Sequence, residues 1–252
     1  MVMADTLKVL TYNIHKGFNT GNMRFVLTRI REMLEEEQAD VVFLQEIHGW
    51  TLRHQRKRRG FPDVPHFEYL ADRLWPHYAY GKNAIYRSGH HGNAILSKYP
   101  FKFWENIDAS RFSFASRSIL HGVVELPGRG IPLHTLCVHF GLRETARRKQ
   151  LDMLIERIES HIPHDEPLII AGDFNDWRSN AQKHFEENLE VKELFAEMTG
   201  RHARTFPAWW PMLPMDRIYY RGVEPVDCAC LSGSPWRALS DHAALAGVYR
   251  LP

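Results

Sequence analysis

Apolar residues in this chain fall in short runs divided by polar turns. Leu7-Lys8-Val9-Leu10-Thr11-Tyr12-Asn13 alternates and reads as a strand, after which Gly17 and Gly21 mark a loop. Between Met23 and Gln38 the apolar positions Leu27, Ile30 and Leu34 recur at helical spacing, with Glu35-Glu36-Glu37 as a solvated end. Asp40-Val41-Val42-Phe43-Leu44 predicts a second strand that delivers Gln45-Glu46. Glu68 to Trp75 predicts a short helix stopped by Pro76, and Ala94-Ile95-Leu96-Ser97 a short strand after Gly92-Asn93. Ser118 to Glu125 and Pro132 to His139 pair naturally as a hairpin turning through Pro127-Gly128-Arg129-Gly130.

The clearest helix runs from Glu144 to His161, where Leu151, Leu154, Ile155 and Ile158 line one face. Pro167 to Ala171 is the next strand, and residues 181–198 read as helical. Phe206-Pro207-Ala208-Trp209-Trp210-Pro211-Met212-Leu213-Pro214, with three prolines, excludes regular structure. Asp216 to Tyr220, Pro225 to Leu231 and Ala243 to Tyr249 complete the strands. There is no repeat and no Ser/Gly/Pro-rich linker, so residues 1–252 are expected to form a single domain. Many strands with few helices imply an α/β fold of two packed sheets with helices on the outer faces.

Composition narrows the function less than the pattern does. The 252 residues are 44% apolar and 12% aromatic, enough for a large core, and the net charge of +2 points to no partner by bulk charge. Cys137, Cys228 and Cys230 form no CxxC pair and no even framework, which implies reduced thiols in a cytoplasmic protein. The N-terminus enters a strand without a charged and apolar leader, and no apolar run approaches the roughly 18 residues of a bilayer span. A monomer without a transmembrane segment is the expectation. Local charge is more informative: Arg53-His54-Gln55-Arg56-Lys57-Arg58-Arg59 carries five cations in seven residues. It suits a phosphate backbone or an anionic membrane, and equally a solvated loop.

The polar residues that bear chemistry gather at strand ends. Asn13, Glu46, His139, Asp173 and Asn175 sit at or just beyond apolar runs, and Asp241 and His242 precede one. Strand ends can converge on one rim of a sheet, where active sites commonly lie. Carboxylates and amides are hard oxygen donors that suit Mg²⁺ or Mn²⁺ better than zinc. Such a metal with acids and a histidine fits attack of water on phosphorus. Taken singly, Asp173-Phe174-Asn175 is also an ordinary turn and Asp241-His242 an ordinary cap.

The motifs taken together resemble the endonuclease/exonuclease/phosphatase superfamily, which includes DNase I, the exonuclease III-type abasic endonucleases, inositol polyphosphate 5-phosphatases and neutral sphingomyelinases. The matching blocks are Thr11-Tyr12-Asn13, Leu44-Gln45-Glu46, Gly92-Asn93-Ala94-Ile95-Leu96-Ser97, Arg117, Val138-His139-Phe140, Gly172-Asp173-Phe174-Asn175, Met215-Asp216-Arg217-Ile218-Tyr219 and Ser240-Asp241-His242, in the family's order. The resemblance implies a four-layered α/β sandwich of two mostly antiparallel sheets flanked by helices. It implies Glu46 as main metal ligand with Asn13 and Asp241 in support. Asp173 would orient or deprotonate the attacking water and Asn175 hold a phosphate oxygen. His242 would contact the phosphate, oriented by Asp216, with His139 as second histidine, and Arg117 and Asn93 would lie toward the substrate. The run Asn13-Ile14-His15 departs from the abasic endonucleases, which carry a second acid there; Tyr12-Asn13-Ile14-His15-Lys16-Gly17, with Asp173-Phe174-Asn175-Asp176-Trp177 and Leu213-Pro214-Met215-Asp216-Arg217-Ile218-Tyr219, looks closest to a little-characterised bacterial subgroup. His15 is open to two readings, reaching the site or packing only.

The expectation is therefore a Mg²⁺- or Mn²⁺-dependent phosphoester hydrolase, a phosphodiesterase of endonuclease type, acting on nucleic acid. The alternative is a phospholipid headgroup or small phosphoester as substrate, with peripheral membrane contact. A non-catalytic binding module on the same fold is the remaining class. Trp210, beside Trp209 in the Pro-rich segment, is the apolar candidate for substrate contact: it would stack on bases, dip into a lipid interface, or plug the core.

Overall fold

The computed structural model describes residues 6–51, 61–86, 89–110, 117–178, 185 and 189–252. The basic run at 53–59 and most of 179–188 lie outside the described residues. One six-stranded sheet has the order β11-β12-β1-β2-β4-β3, built from β1 (Thr6–Asn13), β2 (Val41–Thr51), β3 (His77–Tyr86), β4 (Gly89–Ser97), β11 (Glu224–Leu231) and β12 (Ala244–Arg250). The other has the order β5-β6-β7-β8-β10-β9, from β5 (Phe101–Asp108), β6 (Ser118–Val124), β7 (Leu133–His139), β8 (Leu168–Asp173), β9 (Lys192–Glu193) and β10 (Asp216–Arg221). Each sheet has one parallel pair at its centre, β1 with β2 and β7 with β8, and is otherwise antiparallel.

Alternation along the central strands sorts their side chains into layers. From β1, Leu7 and Val9 face the other sheet, where they meet Ile169 and Ala171 of β8 and Ile218 of β10. Leu10 and Tyr12 face outward onto Leu27, Ile30 and Leu34 of α1 (Leu27–Glu37) and onto α2 (His66–Ala71). On the far side Leu168 and Ile170 pack against Leu151, Leu154 and Ile158 of α3 (Glu144–His161). The layers are thus helix, sheet, sheet, helix, as the resemblance implied. A short α4 (Leu194–Thr199) follows β9. No helix among the described residues is long and apolar enough to cross a membrane.

Two strands escaped the pattern. β3 buries Ala79, Gly81 and Asn83, small or polar residues that make no apolar alternation, and β5 lies on a sheet edge with most of its residues partly or fully exposed, so neither shows an apolar face to read. The expected strand 40–44 continues to Thr51 because β2 absorbs an extra residue twice: Leu44 pairs with Ala94 but Ile47 with Gly92, and His48 pairs with His91 but Thr51 with Gly89. Within 181–198, Lys192 and Glu193 are a two-residue strand and helix begins only at Leu194.

The close approach of β7 and β8 requires a glycine just before Asp173. Gly172 has φ +147°, and a Cβ there would stand 2.0 Å from the Val138 carbonyl oxygen. Gly130 has φ +68° but open space around it. Gly172→Ala is therefore expected to destabilise by about 2–4 kcal/mol, against about 1 kcal/mol for Gly130→Ala. Equal urea midpoints for the two variants would contradict this account.

Candidate active site

Strand register brings the second sheet's acids and histidine into one row. His139 pairs with Asp173, and Asp173 with Asp216, across β7, β8 and β10. From the first sheet, Asn13 ends β1 opposite Gln45, and His242 stands just before β12. The two groups meet over the seam between the sheets. Asn13 Nδ2 donates to Asp173 Oδ2 at 3.2 Å, and His242 Nδ1 lies 2.8 Å from Asp216 Oδ2.

Asp173 is the hub. Its Oδ1 accepts the Asn175 backbone N–H at 2.9 Å, while Oδ2 has His139 Nε2 at 3.5 Å and His242 Nε2 at 3.8 Å besides Asn13. Burial drives the Asp173 pKa up to about 7, against the pull of His242 and with the charge of Asp216 adding to it. Burial would lower His242, but Asp216 and Asp173 on either side hold it at about 10, an imidazolium at neutral pH. Burial pushes His139 well below the usual imidazole value.

Glu46 owes its position to the β2 bulge, where its φ is +55°. Burial works to raise its pKa, but His139, Lys16 and His15 outweigh it and hold it at about 2. Lys16 Nζ sits 2.8 Å from Glu46 Oε2. His15 Nδ1 lies 3.2 Å from Asp241 Oδ1 and 3.9 Å from Glu46 Oε2, so two carboxylates turn toward one imidazole. His15, Lys16, Glu46 and Asn175 are four of the seven non-glycine residues with positive φ among the described residues. Strained backbone of this kind collects where function demands a particular side-chain direction.

The remaining candidates have structural partners. Asn175 Nδ2 donates to the Phe140 carbonyl at 2.9 Å, and Arg117 Nε to the same carbonyl at 3.3 Å. Asn93 is fully buried, its Nδ2 spanning the sheets to the carbonyls of Ser118 at 3.2 Å and Cys137 at 3.4 Å. Trp210 is exposed on the segment Phe206–Pro214, whose ends are joined by a bridge between Phe206 and Leu213. That segment is tied to the site: Ala208 N donates to the Asp241 carbonyl at 2.7 Å, and the Phe206 ring lies 5.1 Å from that of His242.

Ligand atoms of Asp173, Asp216 and His242 lie within 4.8 Å of one another and could hold a metal. Two of these three are acids, and the third is the histidine whose Nδ1 is already engaged by Asp216. The all-oxygen pair Glu46 and Asp241 is the better fit for a hard divalent ion.

The chain matches the Endonuclease/Exonuclease/phosphatase family over residues 10–242. It belongs to that family. It is 43% identical over 246 residues to the uncharacterized protein YbhP of Escherichia coli K12, covering 98% of this chain and 97% of that one. Solved structures share the fold at lower identity. A family member from Bacteroides vulgatus superposes with TM-score 0.76 at 18% identity, over 98% of this chain and 99% of its own. A humanized D. rerio TDP2 gives 0.74 at 22% identity, over 98% and 99%. A mannosyl-6-phosphatase from Bacteroides thetaiotaomicron gives 0.73 at 16%, over 96% and 98%.

The family motifs assigned no role to some neighbours of the site. Lys16 lies in the run shared with the bacterial subgroup, but nothing in that run marks it as a partner of Glu46. His91 lies on β4 across from His48, in the electrostatic neighbourhood of Lys16, Glu46 and Arg117, and burial lowers its pKa to about 4. Thr205 accepts from the backbone N–H groups of Met215 and Asp216 at 3.3 and 3.2 Å and so fixes the start of β10. Only its place before the Pro-rich segment could have suggested a role.

The His242–Asp216 pair has a pH signature. A histidine raised above its unfolded value stabilises fully below pH 6.5, and that contribution disappears as pH rises through about 10. From about pH 7 to 10, unfolding in EDTA should lose up to about 1.4 kcal/mol per pH unit from this group. Asp216→Asn should lower the His242 pKa, read by imidazole NMR, and flatten that slope. An unchanged titration would mean the pair does not control His242.

Proposed function

We propose that the protein is a divalent-metal-dependent phosphodiesterase that cleaves P–O bonds by attack of water. The observation that carries the reading is the placement of Asp173. It is a buried carboxylate gripped by Asn13, Asn175 and two histidines at the meeting of both sheets, and burial pushes its pKa up to about 7. A base poised near the working pH is what proton abstraction from water needs.

Glu46, Asp241 and Asn13 would hold Mg²⁺ or Mn²⁺; Asn13 Oδ1 accepts the His15 N–H at 3.1 Å and keeps one lone pair. The bound ion supplies charge neutralisation at the phosphoryl oxygens. Asp173 orients the water and takes its proton. His242 has its Nδ1–H committed to Asp216, which leaves Nε2–H to donate to a phosphoryl oxygen as charge builds there. His139 stands beside Asp173 as a second imidazole, and Asn175 has one amide hydrogen left for substrate. In-line displacement forms the new P–O bond from water and breaks the bond to the leaving alkoxide, which takes a proton from solvent as it departs. The family carries both diesterases and monoesterases, and the pairing of a cationic histidine with a base near neutrality serves either.

Hydrolysis of bis-p-nitrophenyl phosphate and p-nitrophenyl phosphate tests the reading. Turnover of the diester is expected with Mg²⁺ or Mn²⁺ and not with EDTA. Asp173→Ala and Glu46→Ala should each reduce it by about 10³-fold or more while the fold survives. Full activity in both variants would sink the proposal, and a preference for the monoester would make the enzyme a phosphatase.

A further inference from the structure

The segment Phe206–Pro214 has no charged residue and, apart from two indole N–H groups, no hydrogen-bonding side chain. In a protein of ordinary composition such a stretch normally goes inside. Here Trp209 and Trp210 are 63% and 64% exposed and Met212 is 52% exposed. The bridge between Phe206 and Leu213 closes the segment into a hairpin, so these residues form its tip. Its far end is pinned by Arg217, whose buried guanidinium donates to the Pro214 carbonyl and, at 3.3 Å, to that of Asp176. The same anchor therefore fixes the hairpin and the turn that carries exposed Trp177. Leu142, 64% exposed, follows β7 on the same rim, because β7, β8 and β10 are consecutive strands with their site ends in register.

Cations frame this apolar surface. Arg204 is exposed at the base of the hairpin, Arg178 follows Trp177, and Arg143 follows Leu142. Glu144 is the acid among them, shared by Arg148 and Arg178 at 3.7 Å each, and it leaves the group cationic. An indole pair with aliphatic neighbours projecting beyond a cationic collar matches the interior edge and headgroup level of an anionic bilayer. A nucleic acid would ask for cations and hydrogen-bond donors along its track, and the projecting tip has neither cation nor amide.

We propose that this rim, with the Trp209–Trp210 hairpin at its centre, docks on an anionic phospholipid surface and presents lipid phosphodiesters to the site, the second half resting on the phosphodiesterase reading. The hairpin's links to Asp241 and His242 place the docked surface next to the reacting groups.

The experiment is co-sedimentation of the full chain, in EDTA, with phosphatidylcholine vesicles containing about 30% phosphatidylglycerol. Binding is expected to blue-shift tryptophan fluorescence and to weaken as salt rises. Trp209→Ala/Met212→Ala should weaken it by about tenfold or more while leaving turnover of the soluble diester unchanged, which also shows that the variant folds. The proposal is overturned if the wild-type chain stays in the supernatant, if the double variant binds as wild type does, or if the double variant loses single-stranded DNA binding and keeps vesicle binding. Because docking is read without turnover, vesicle binding by a chain inactive on every diester would leave the surface standing and remove only the phosphodiesterase reading.

Discussion

Everything at the site depends on how the two sheets are packed against each other. Leu7, Val9, Val41 and Phe43 from one sheet interlock with Leu120, Ile169, Ala171 and Ile218 from the other, and this apolar contact sets their spacing and angle. The polar contacts at the rim inherit that placement. Asn13 to Asp173 and His242 to Asp216 each reach from one sheet to the other, so neither pair would form if the sheets slid by a residue. Burial of apolar side chains is non-directional, but interlocked side chains are close-packed and resist sliding. The hydrophobic layer thus acts as the ruler for hydrogen bonds it does not itself make.

Topology explains why the polar groups gather on one edge. Parallel pairing of β1 with β2 and of β7 with β8 puts the ends of these strands on a common side, and antiparallel β10 and β12 begin where their neighbours end. The exceptions to regular backbone then aim individual groups. A bulge turns Glu46, positive φ turns Asn175, and the left-handed pair His15 and Lys16 folds the loop after β1 back over Glu46. Regular strands supply rigidity, and the irregular residues supply direction.

The central strands and the polar residues that the fold gathers at their ends are plain in the sequence, for one physical reason. Buried central strands read as apolar runs, and the chemistry-bearing residues punctuate their ends, so Asp173 after Leu168–Ala171 and His139 after Leu133–Val138 could be located without a structure. β3 and β5 could not, because a strand on a sheet edge carries polar residues and its partner, not its own pattern, makes it a strand. Residue pairings across the sheets were legible only through the family resemblance, which named Asp216 as the partner of His242. For Lys16 and His91 the resemblance gave no role: their closeness to Glu46 follows from a loop conformation and a bulge that local sequence does not encode. Asn93 was visible as part of a motif, yet its amide as a strut between the sheets was not.

The energetics of the site bear on whether the fold is an enzyme or only a platform. Removing a charged group from water costs several kcal/mol, and a buried ion pair often does no better than apolar residues of the same size. Here His242 is buried between the carboxyl groups of Asp173 and Asp216, and the Oδ1 of Asp216 has no partner among the described residues. A strained backbone adds a further cost of order 1–3 kcal/mol per residue at Glu46 and Asn175. A binding platform would be more stable with leucine or phenylalanine in these places, since the surrounding layers already fold through their own apolar contacts. These costs are concentrated on the groups that would have to move a proton and meet a phosphoryl oxygen. A chain that needed only the shape of the fold would gain nothing from burying Asp173, Asp216 and His242 against one another where the two sheets meet.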